Sequence, residues 1–302
     1  MKRGATANPN QPMSNQTQTE THELSNGVIH HSDCLDGLQE LDSDSICLAF
    51  TSPPYFDVID YESQAATIDD DDERWGRTDI SYDEYQNFLV ERFAELFRVI
   101  QPGGHAVVNI APVTTDDGRV PLPFHFVGWM EDIGWSFKED IVWEKPVAKD
   151  RRSGVFIQHP YPGYYYPSLV SEYVFVFQKE ADTDSKNNIY WNRTQQEKEN
   201  NEVSLDDFQG EKSKNVWKIR PVSPGENIHP APFPRDLAKR VIELYSYQGD
   251  TVIDIFAGSG QTLIAAQDLS RSFLGMETQS EYIRYATERI QDENAQTTLN
   301  QL

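Results

Sequence analysis

The sequence predicts an α/β protein built on a doubly wound, mostly parallel sheet, and three observations carry that expectation. Short apolar runs at 46–50, 106–110 and 173–177 alternate with segments whose apolar residues recur at helical spacing. Near the carboxyl end, Asp250-Thr251-Val252-Ile253-Asp254 runs into Ile255-Phe256-Ala257-Gly258-Ser259-Gly260 and then a helical stretch. That is the strand, glycine turn and helix of a nucleotide-binding unit. The first long apolar run, by contrast, stops at Thr51-Ser52-Pro53-Pro54-Tyr55, where two successive prolines forbid both a ladder and a helix.

A chain of 302 residues, 38% hydrophobic and 12% aromatic, is long enough to bury one full α/β core with a small insertion. Twenty-six basic residues face 49 acidic ones, a net charge of −23 that at first argues against a polyanionic partner. Net charge governs solubility and association rather than fold, and an acidic excess spread along the chain is also what adaptation to concentrated salt produces. A halophilic source is therefore expected, with loss of folded structure in low salt as its signature. Cys34 and Cys47 are the only cysteines, too few for a disulfide framework or a zinc ligand set, which favours a cytoplasmic location. No apolar run reaches membrane-spanning length and the amino terminus lacks a signal-peptide core, so no membrane is expected.

Residues 1–22 are Asn, Gln, Thr and Pro with hardly an apolar side chain, and read as a disordered tail, with structure starting near Leu24. Val28-Ile29-His30-His31 reads as a strand and 37–41 as a helix, which puts Asp33 at a strand end. There it can cap the helix or accept a hydrogen bond from a ligand. The run 46–50 is a buried strand, and the turn after it presents the Ser52 hydroxyl, two proline carbonyls and the Tyr55 ring at the carboxyl end of the sheet. Ser52 Oγ and the Pro53 carbonyl can accept the hydrogens of an exocyclic amine while Tyr55 stacks on its ring. The same four residues can also make a plain surface turn.

The acidic block Asp69-Asp70-Asp71-Asp72-Glu73 reads as a solvated loop rather than a metal site. From Ser81 onward Tyr85, Phe88, Leu89, Phe93, Leu96 and Ile100 repeat at helical spacing up to Pro102-Gly103-Gly104, and 106–110 follows as a strand. A helix at 124–133 and strands at 137–143 and 172–179 complete the middle of the chain. Positive charge concentrates only at Lys145, Lys149, Arg151 and Arg152, ahead of Tyr161, Tyr164, Tyr165 and Tyr166. Cations interleaved with aromatics can form a nucleic-acid groove, or simply a packed loop.

Residues 182–214 are polar and aperiodic, a linker or a small recognition insertion. A proline-punctuated approach, His229-Pro230-Ala231-Pro232-Phe233-Pro234, leads to a helix at 235–245, and His229 there reads as fixing its loop. After the glycine turn and helix, Phe273-Leu274-Gly275-Met276-Glu277 is a further strand. Its terminal acid lies 23 residues after Asp254, close to the spacing of about 20 at which a carboxylate reaches ribose hydroxyls.

Taken together, Ser52 to Tyr55, Phe256 to Gly260, Asp33, the Trp143-Glu144-Lys145 segment and the His229 to Pro234 lead-in make the chain resemble the amino-methylating DNA methyltransferases that use S-adenosylmethionine. The resemblance is to their circularly permuted beta group and covers roughly 24–290. It implies a Rossmann-like methyltransferase sheet: catalytic part at 23–181, target-recognition insertion at 182–216, cofactor-binding part at 217–292 and a tail at 293–302. Two positions depart from the usual cofactor loop, Ile255 where Pro is commoner and Gln261 where Thr is commoner.

The resemblance implies catalysis by Ser52, Pro53, Pro54 and Tyr55. It implies cofactor binding by Asp33, Phe233, Asp254, Phe256, Ala257, Gly258, Ser259, Gly260, Thr262 and Glu277, and no metal. Lys145, Lys149, Arg151 and Arg152 are the expected DNA-binding cations. Ser ahead of Pro-Pro-Tyr is mostly found with cytosine N4 as acceptor, in duplex DNA whose target base leaves the helix. Neither cysteine has the Pro-Cys context of cytosine-C5 chemistry. A cognate restriction endonuclease and a monomer or homodimer are the expected partners and state. Adenine N6, an RNA or protein amide, and a non-catalytic DNA-binding regulator are the rival readings.

Overall fold

The computed structural model describes residues 20–56, 80–115, 118–146, 162, 169–181, 188–204, 209–223 and 225–300. Its centre is a nine-stranded sheet formed by β1 (Glu20–Leu24), β2 (Gly27–His31), β3 (Ile46–Thr51), β4 (Ile100–Ile110), β7 (Ser136–Glu144), β8 (Ser171–Gln178), β9 (Val216–Lys218), β10 (Thr251–Asp254) and β11 (Ser272–Glu277). Their spatial order is β1-β2-β11-β10-β3-β4-β8-β7-β9, and β5 (Val113–Thr115) and β6 (Gly118–Val120) pair separately. Strands β2, β11, β10, β3 and β4 run parallel, and β8 runs against both β4 and β7.

Late strands β10 and β11 thus sit between early strands β2 and β3. The parallel ladders β10 to β3, with Val252 opposite Leu48 and Ile253 opposite Ala49, bring the glycine turn beside the Pro-Pro-Tyr turn.

Both faces of the sheet are covered. The α-helices among the described residues are α1 (Cys34–Gln39), α2 (Tyr82–Val99), α3 (Leu122–Ile133), α4 (Gln195–Asn200), α5 (Arg235–Tyr245), α6 (Gln261–Asp268) and α7 (Ser280–Asn300). Leu48, Phe50, Val107, Val176 and Val252 point into a core closed by Leu237 and Val241 of α5, Leu263 and Ile264 of α6 and Ile283 of α7. Their strand neighbours Ala49, Ala106, Val108, Phe177 and Ile253 point the other way, against Leu38 of α1, Leu89, Phe93 and Leu96 of α2 and Phe126 of α3. Period-two alternation in runs that are apolar throughout is what a sheet buried on both sides requires.

Helix α2 begins where the pattern predicts, because Ser81 and Glu84 form a reciprocal capping box. Helix α3 ends at Gly134, whose φ of 119° takes the left-handed conformation.

Three boundaries differ from the sequence reading. Residues 20–22 do not belong to a tail, because Glu20–Leu24 pairs antiparallel with Gly27–His31; 1–19 lie outside the described residues. A hairpin partner rather than hydrophobicity makes this strand, and polar residues suffice. Helix α7 runs to Asn300, past the expected limit at 292.

The third concerns 182–216. Of its described parts, 188–204 and 209–216, the stretch 188–201 is bonded to the amino ends of the strands: Ile189 N–H to the Pro102 carbonyl, the Tyr190 hydroxyl to the Tyr245 carbonyl at 2.8 Å, Arg193 to Asp250, and Gln248 N–H to Asn201 Oδ1. The Pro-Pro-Tyr and glycine turns leave the opposite, carboxyl ends. A four-residue strand such as β10 already separates the two ends by about 13 Å. Residues 188–201 therefore lie at the end of the sheet opposite the two turns, while Val216 pairs with Val142 near the carboxyl end of β7.

Candidate active site

The carboxyl ends of β2, β3, β10 and β11 open into one cleft of about 1320 Å³, its solvent-open mouth included. Ser52, Pro53, Pro54 and Tyr55 line one side, and Phe256, Ala257, Gly258 and Ser259 line the other. Asp33, Phe233 and Glu277 also face it. The two turns quoted from opposite ends of the sequence therefore meet.

On the first side, Ser52 Oγ donates to the Asn109 carbonyl at 2.9 Å. That spends the hydroxyl hydrogen and leaves the oxygen lone pairs as acceptors. The Tyr85 hydroxyl donates to the Pro54 carbonyl at 2.8 Å, and the Tyr55 hydroxyl to Glu172 Oε2 at 3.2 Å. Tyr85 of helix α2 thus holds the turn from the cleft wall, and Glu172 of strand β8 holds it from outside the cleft.

On the second side, Gly258 has φ of 49°, and an added Cβ would stand 3.1 Å from the His229 ring. Gly260 has φ of 79°, and its added Cβ would stand 2.8 Å from Ala286 Cβ. Both positions need a glycine for backbone conformation and close approach. Burial pushes the Glu277 carboxyl above its ordinary value, against which the Gln279, Gly258 and Thr278 amides stabilise its charge. It stands at the mouth of β11, where a hydroxyl-bearing ligand can exchange with those amides.

The aromatic walls are Phe256, 6.1 Å from Phe88, and Phe233, 4.8 Å from Phe50. Gln261, the unusual residue of the glycine loop, donates to the Phe233 carbonyl and accepts from Arg289, so it pins the proline-rich lead-in to α6. Its amide joins two groups that the shorter threonine side chain would not span.

Asp33 caps α1 through Leu35 N–H at 2.7 Å and pairs with Arg92 at 2.7 Å. Arg92 is buried, its guanidinium 3.7 Å from the Phe88 ring centroid.

Asp254, Gly260 and Thr262 are not cleft walls. Asp254 is buried beneath the loop, accepting from Thr51 Oγ1 at 2.6 Å, Thr262 Oγ1 at 2.7 Å and Phe256 N–H at 3.1 Å. Burial pushes its carboxyl up to about 6 against those hydrogen bonds. Its part is to join the turns from below, which corrects the expectation that it meets the cofactor. Gly260 and Thr262 shape the same support.

Lys145 is a second correction. Its ammonium pairs with Glu172 and lies 4.6 Å from the Trp143 ring centroid, so it is engaged inside the protein rather than offered to a phosphate. Lys149, Arg151 and Arg152, the tyrosines at 161 and 164–166 and the acidic block at 69–73 lie outside the described residues.

His229 is held as expected. Its Nδ1 accepts from Ala231 N–H, its ring lies 5.0 Å from that of Tyr282, and burial pushes it down to about 4, which keeps it neutral. Cys34 faces the cleft, but burial pushes its thiol well above the ordinary range, and Cys47 is pushed up to about 12. Neither is a ready nucleophile.

Sequence reading missed Thr51, Arg92, Asn109 and Glu172. Arg92 had a signal, because it falls on the apolar stripe of α2 between Leu89 and Leu96. Glu172, at the foot of an apolar strand, had none that separates it from a solvated strand end.

Residues 46–288 match a family model described as DNA methylase, N6_N4_Mtase. The chain is 27% identical over 312 residues to the Type II methyltransferase M.Cfr9I of Citrobacter freundii, with 92% of each covered. It is 25% identical over 292 residues to M.SmaI of Serratia marcescens, with 85% of this chain and 88% of that one covered. Among solved structures, a Thermus thermophilus protein described as a DNA modification methylase, complexed with S-adenosyl-L-methionine, superposes with a TM-score of 0.67 at 25% identity, over 88% of this chain and 93% of that one. The PvuII DNA methyltransferase, named as cytosine-N4-specific, shares the fold with a TM-score of 0.61 at 20% identity, over 89% and 91%.

Proposed function

The chain belongs to the N6_N4_Mtase family of DNA methylases, and from that premise we propose that it methylates the exocyclic N4 amine of cytosine at a specific site in duplex DNA. It is a DNA methyltransferase whose methyl donor is S-adenosylmethionine. The observation that supports transfer to an exocyclic amine is that the Ser52 to Tyr55 turn and the glycine turn, Phe256 to Ser259, line one cleft.

The residues fit the donor. The Gly258 position lacks the Cβ that would crowd His229, Phe256 and Phe233 wall the space between, and Glu277 presents a half-buried carboxyl group at a strand end. In this reading Glu277 holds the ribose, the Ala257 to Ser259 backbone the amino-acid end, and Asp33 the adenine amine, while Ile255 leaves the loop intact. S-adenosylmethionine supplies an already activated sulfonium methyl.

The acceptor amine is a weak nucleophile because its lone pair is conjugated with the ring. Ser52 Oγ, its own hydrogen spent on Asn109, and the Pro53 carbonyl accept the two amine hydrogens and favour the pyramidal form in which that pair is available. Tyr55 replaces the stacking that the base loses on leaving the helix, worth about 1–3 kcal/mol. Orientation in the cleft then supplies much of the rate, and no side chain needs to bond covalently to the base.

The N4 assignment rests on Ser52 at the head of the turn. Incubating the protein with unmethylated DNA and S-adenosylmethionine, digesting to nucleosides and identifying the product by mass spectrometry tests it. N4-methylcytosine is the expected product. Finding N6-methyladenine instead would make adenine the acceptor and overturn the N4 assignment, and absence of any methylated nucleoside would end the proposal.

A further inference from the structure

We propose that Glu172 is the positioning residue of the Ser-Pro-Pro-Tyr turn, holding Tyr55 directly and Ser52 through Asn109; this rests on the methyl-transfer reading given above. Glu172 is the second residue of β8, on the far side of β4 from the glycine turn, and is not among the residues that line the cleft. Its carboxylate nevertheless gathers three donors from three parts of the chain. The Tyr55 hydroxyl reaches Oε2 at 3.2 Å, the Asn109 side-chain amide reaches the same oxygen at 2.7 Å, and the Lys145 ammonium pairs with Oε1. Asn109 carries the link onward, since its backbone carbonyl receives the Ser52 hydroxyl.

A carboxylate buried to 9% exposure, beside Asn109 at 2%, is costly unless paired and fully hydrogen-bonded, and this one is both. The fold does not demand it. A buried ion pair can often be replaced by well-packed apolar side chains without loss of stability. What an apolar side chain cannot do is hold the Tyr55 hydroxyl and the Asn109 amide at the same time. Tyr55 and Asn109 share one oxygen and the Lys145 ammonium faces the other, so the side chain must accept at both positions, which a carboxylate does and an amide, with N–H2 turned toward the ammonium, does not. Its two routes end on the residues proposed to stack on the base and to accept the amine hydrogen. Freezing those side chains before the base arrives is how a supporting residue raises a rate without touching substrate.

The test compares the full-length wild type with Glu172→Gln, Tyr55→Phe and the double variant. Single-turnover transfer of tritiated methyl to unmethylated DNA is measured at saturating cofactor, and S-adenosylmethionine affinity by calorimetry. Each single variant should slow transfer about tenfold to a hundredfold, with cofactor affinity within about twofold of wild type. The double variant should be no slower than the slower single one by more than about threefold, because both changes cut one connection. Glu172→Asp, which keeps the charge one methylene short, should recover part of the loss.

Transfer by Glu172→Gln within about twofold of wild type, losses that multiply in the double variant, or a parallel fall in cofactor affinity would each overturn the proposal. Should Glu172→Gln not fold, Tyr55→Phe and Asn109→Ala decide, since wild-type rates in both variants leave the clamp nothing to act on. A wild-type protein that transfers no methyl to DNA would instead remove the function, and this inference with it.

Discussion

Thr51 and Asp254, 203 residues apart in sequence, are joined by a 2.6 Å hydrogen bond beneath the floor of the cleft. Thr51 is the last residue before Ser52, and Asp254 the last strand residue before the glycine turn, so the bond ties the amine side to the cofactor side. Thr262 and Phe256 donate to the same carboxylate. Asp254→Asn turns an amide N–H2 toward this ring of donors. The expected loss is about 1–3 kcal/mol of folding free energy, read from urea unfolding at neutral pH. An unchanged midpoint and slope would show that the turns are held together by other means.

Acid titration provides a second prediction with two opposite signs. Burial pushes Asp254 up to about 6, so the folded chain keeps a proton that the unfolded chain sheds near pH 4. Its contribution to stability is full below that lower value and is lost as pH rises to about 6. His105 runs the other way. Burial pushes it down to about 4, and Tyr190, which donates its own hydrogen to the Tyr245 carbonyl, takes the Nδ1–H of the neutral ring at 2.9 Å. The stability it contributes is present above about pH 6.5 and is lost as pH falls toward 4. His229 has the same sign. Unfolding free energies at pH 7, 5.5 and 4.5 should therefore fall less steeply in His105→Gln than in wild type, and more steeply in Asp254→Asn.

The pieces of the cleft were legible in the sequence because each is a local exception. Two prolines stop an apolar run, two glycines follow a strand, and an acid ends the next one. Alternation in Leu48, Ala49 and Phe50 also fixed the two-sided burial that a doubly wound sheet needs. What local pattern does not carry is the partner of a polar side chain. Lys145 and Arg193 look alike as cations in polar surroundings, yet one faces Glu172 and the other Asp250, from 27 and 57 residues away. Likewise β1 owes its strand to hairpin pairing, and 188–201 owes its place to bonds with Pro102 and with the distant segment 245–250. Such matches are decided by topology, and only the fold reveals them.

Ser52 is the most direct point of attack on the mechanism. With its hydrogen committed to Asn109, the oxygen serves the amine only as an acceptor. Ser52→Ala should lower the rate of methyl transfer about tenfold to a hundredfold, the scale of one oriented hydrogen bond in a transition state. The affinity for S-adenosylmethionine should be unchanged, since Ser52 belongs to the opposite wall. Wild-type rates at saturating cofactor would mean that the hydroxyl is not part of the amine site.

Lys145 separates a DNA cation from an internal counter-ion. A phosphate contact would contribute about 0.9 to the slope of log affinity against log salt concentration. Because its ammonium is paired with Glu172, Lys145→Met should leave that slope unchanged in titrations of duplex DNA, while methyl transfer slows as the carboxylate loses its charge partner. A slope reduced by about one unit would return Lys145 to the DNA surface.

The segment 188–201 provides the last separation, between recognition and support. Arg193 pairs with Asp250 at the amino end of β10, and the side chains are 17% and 6% exposed. Asp250 also accepts the Tyr247 N–H, so the ion pair sets the turn from which β10 starts. Arg193→Ala leaves a buried carboxylate without its cation, and about 3 kcal/mol of stability should be lost. Trp191, 74% exposed on the same segment, should be replaceable by Ala at almost no cost. Were 188–201 the part that reads DNA, Trp191→Ala would be the damaging change and would alter the set of methylated sites. Bonded to the amino ends, the segment should instead leave that set intact in both variants. Sequencing modified bases in DNA from cells expressing each one decides it, because a changed site would put recognition at the end of the sheet where no cleft residue lies.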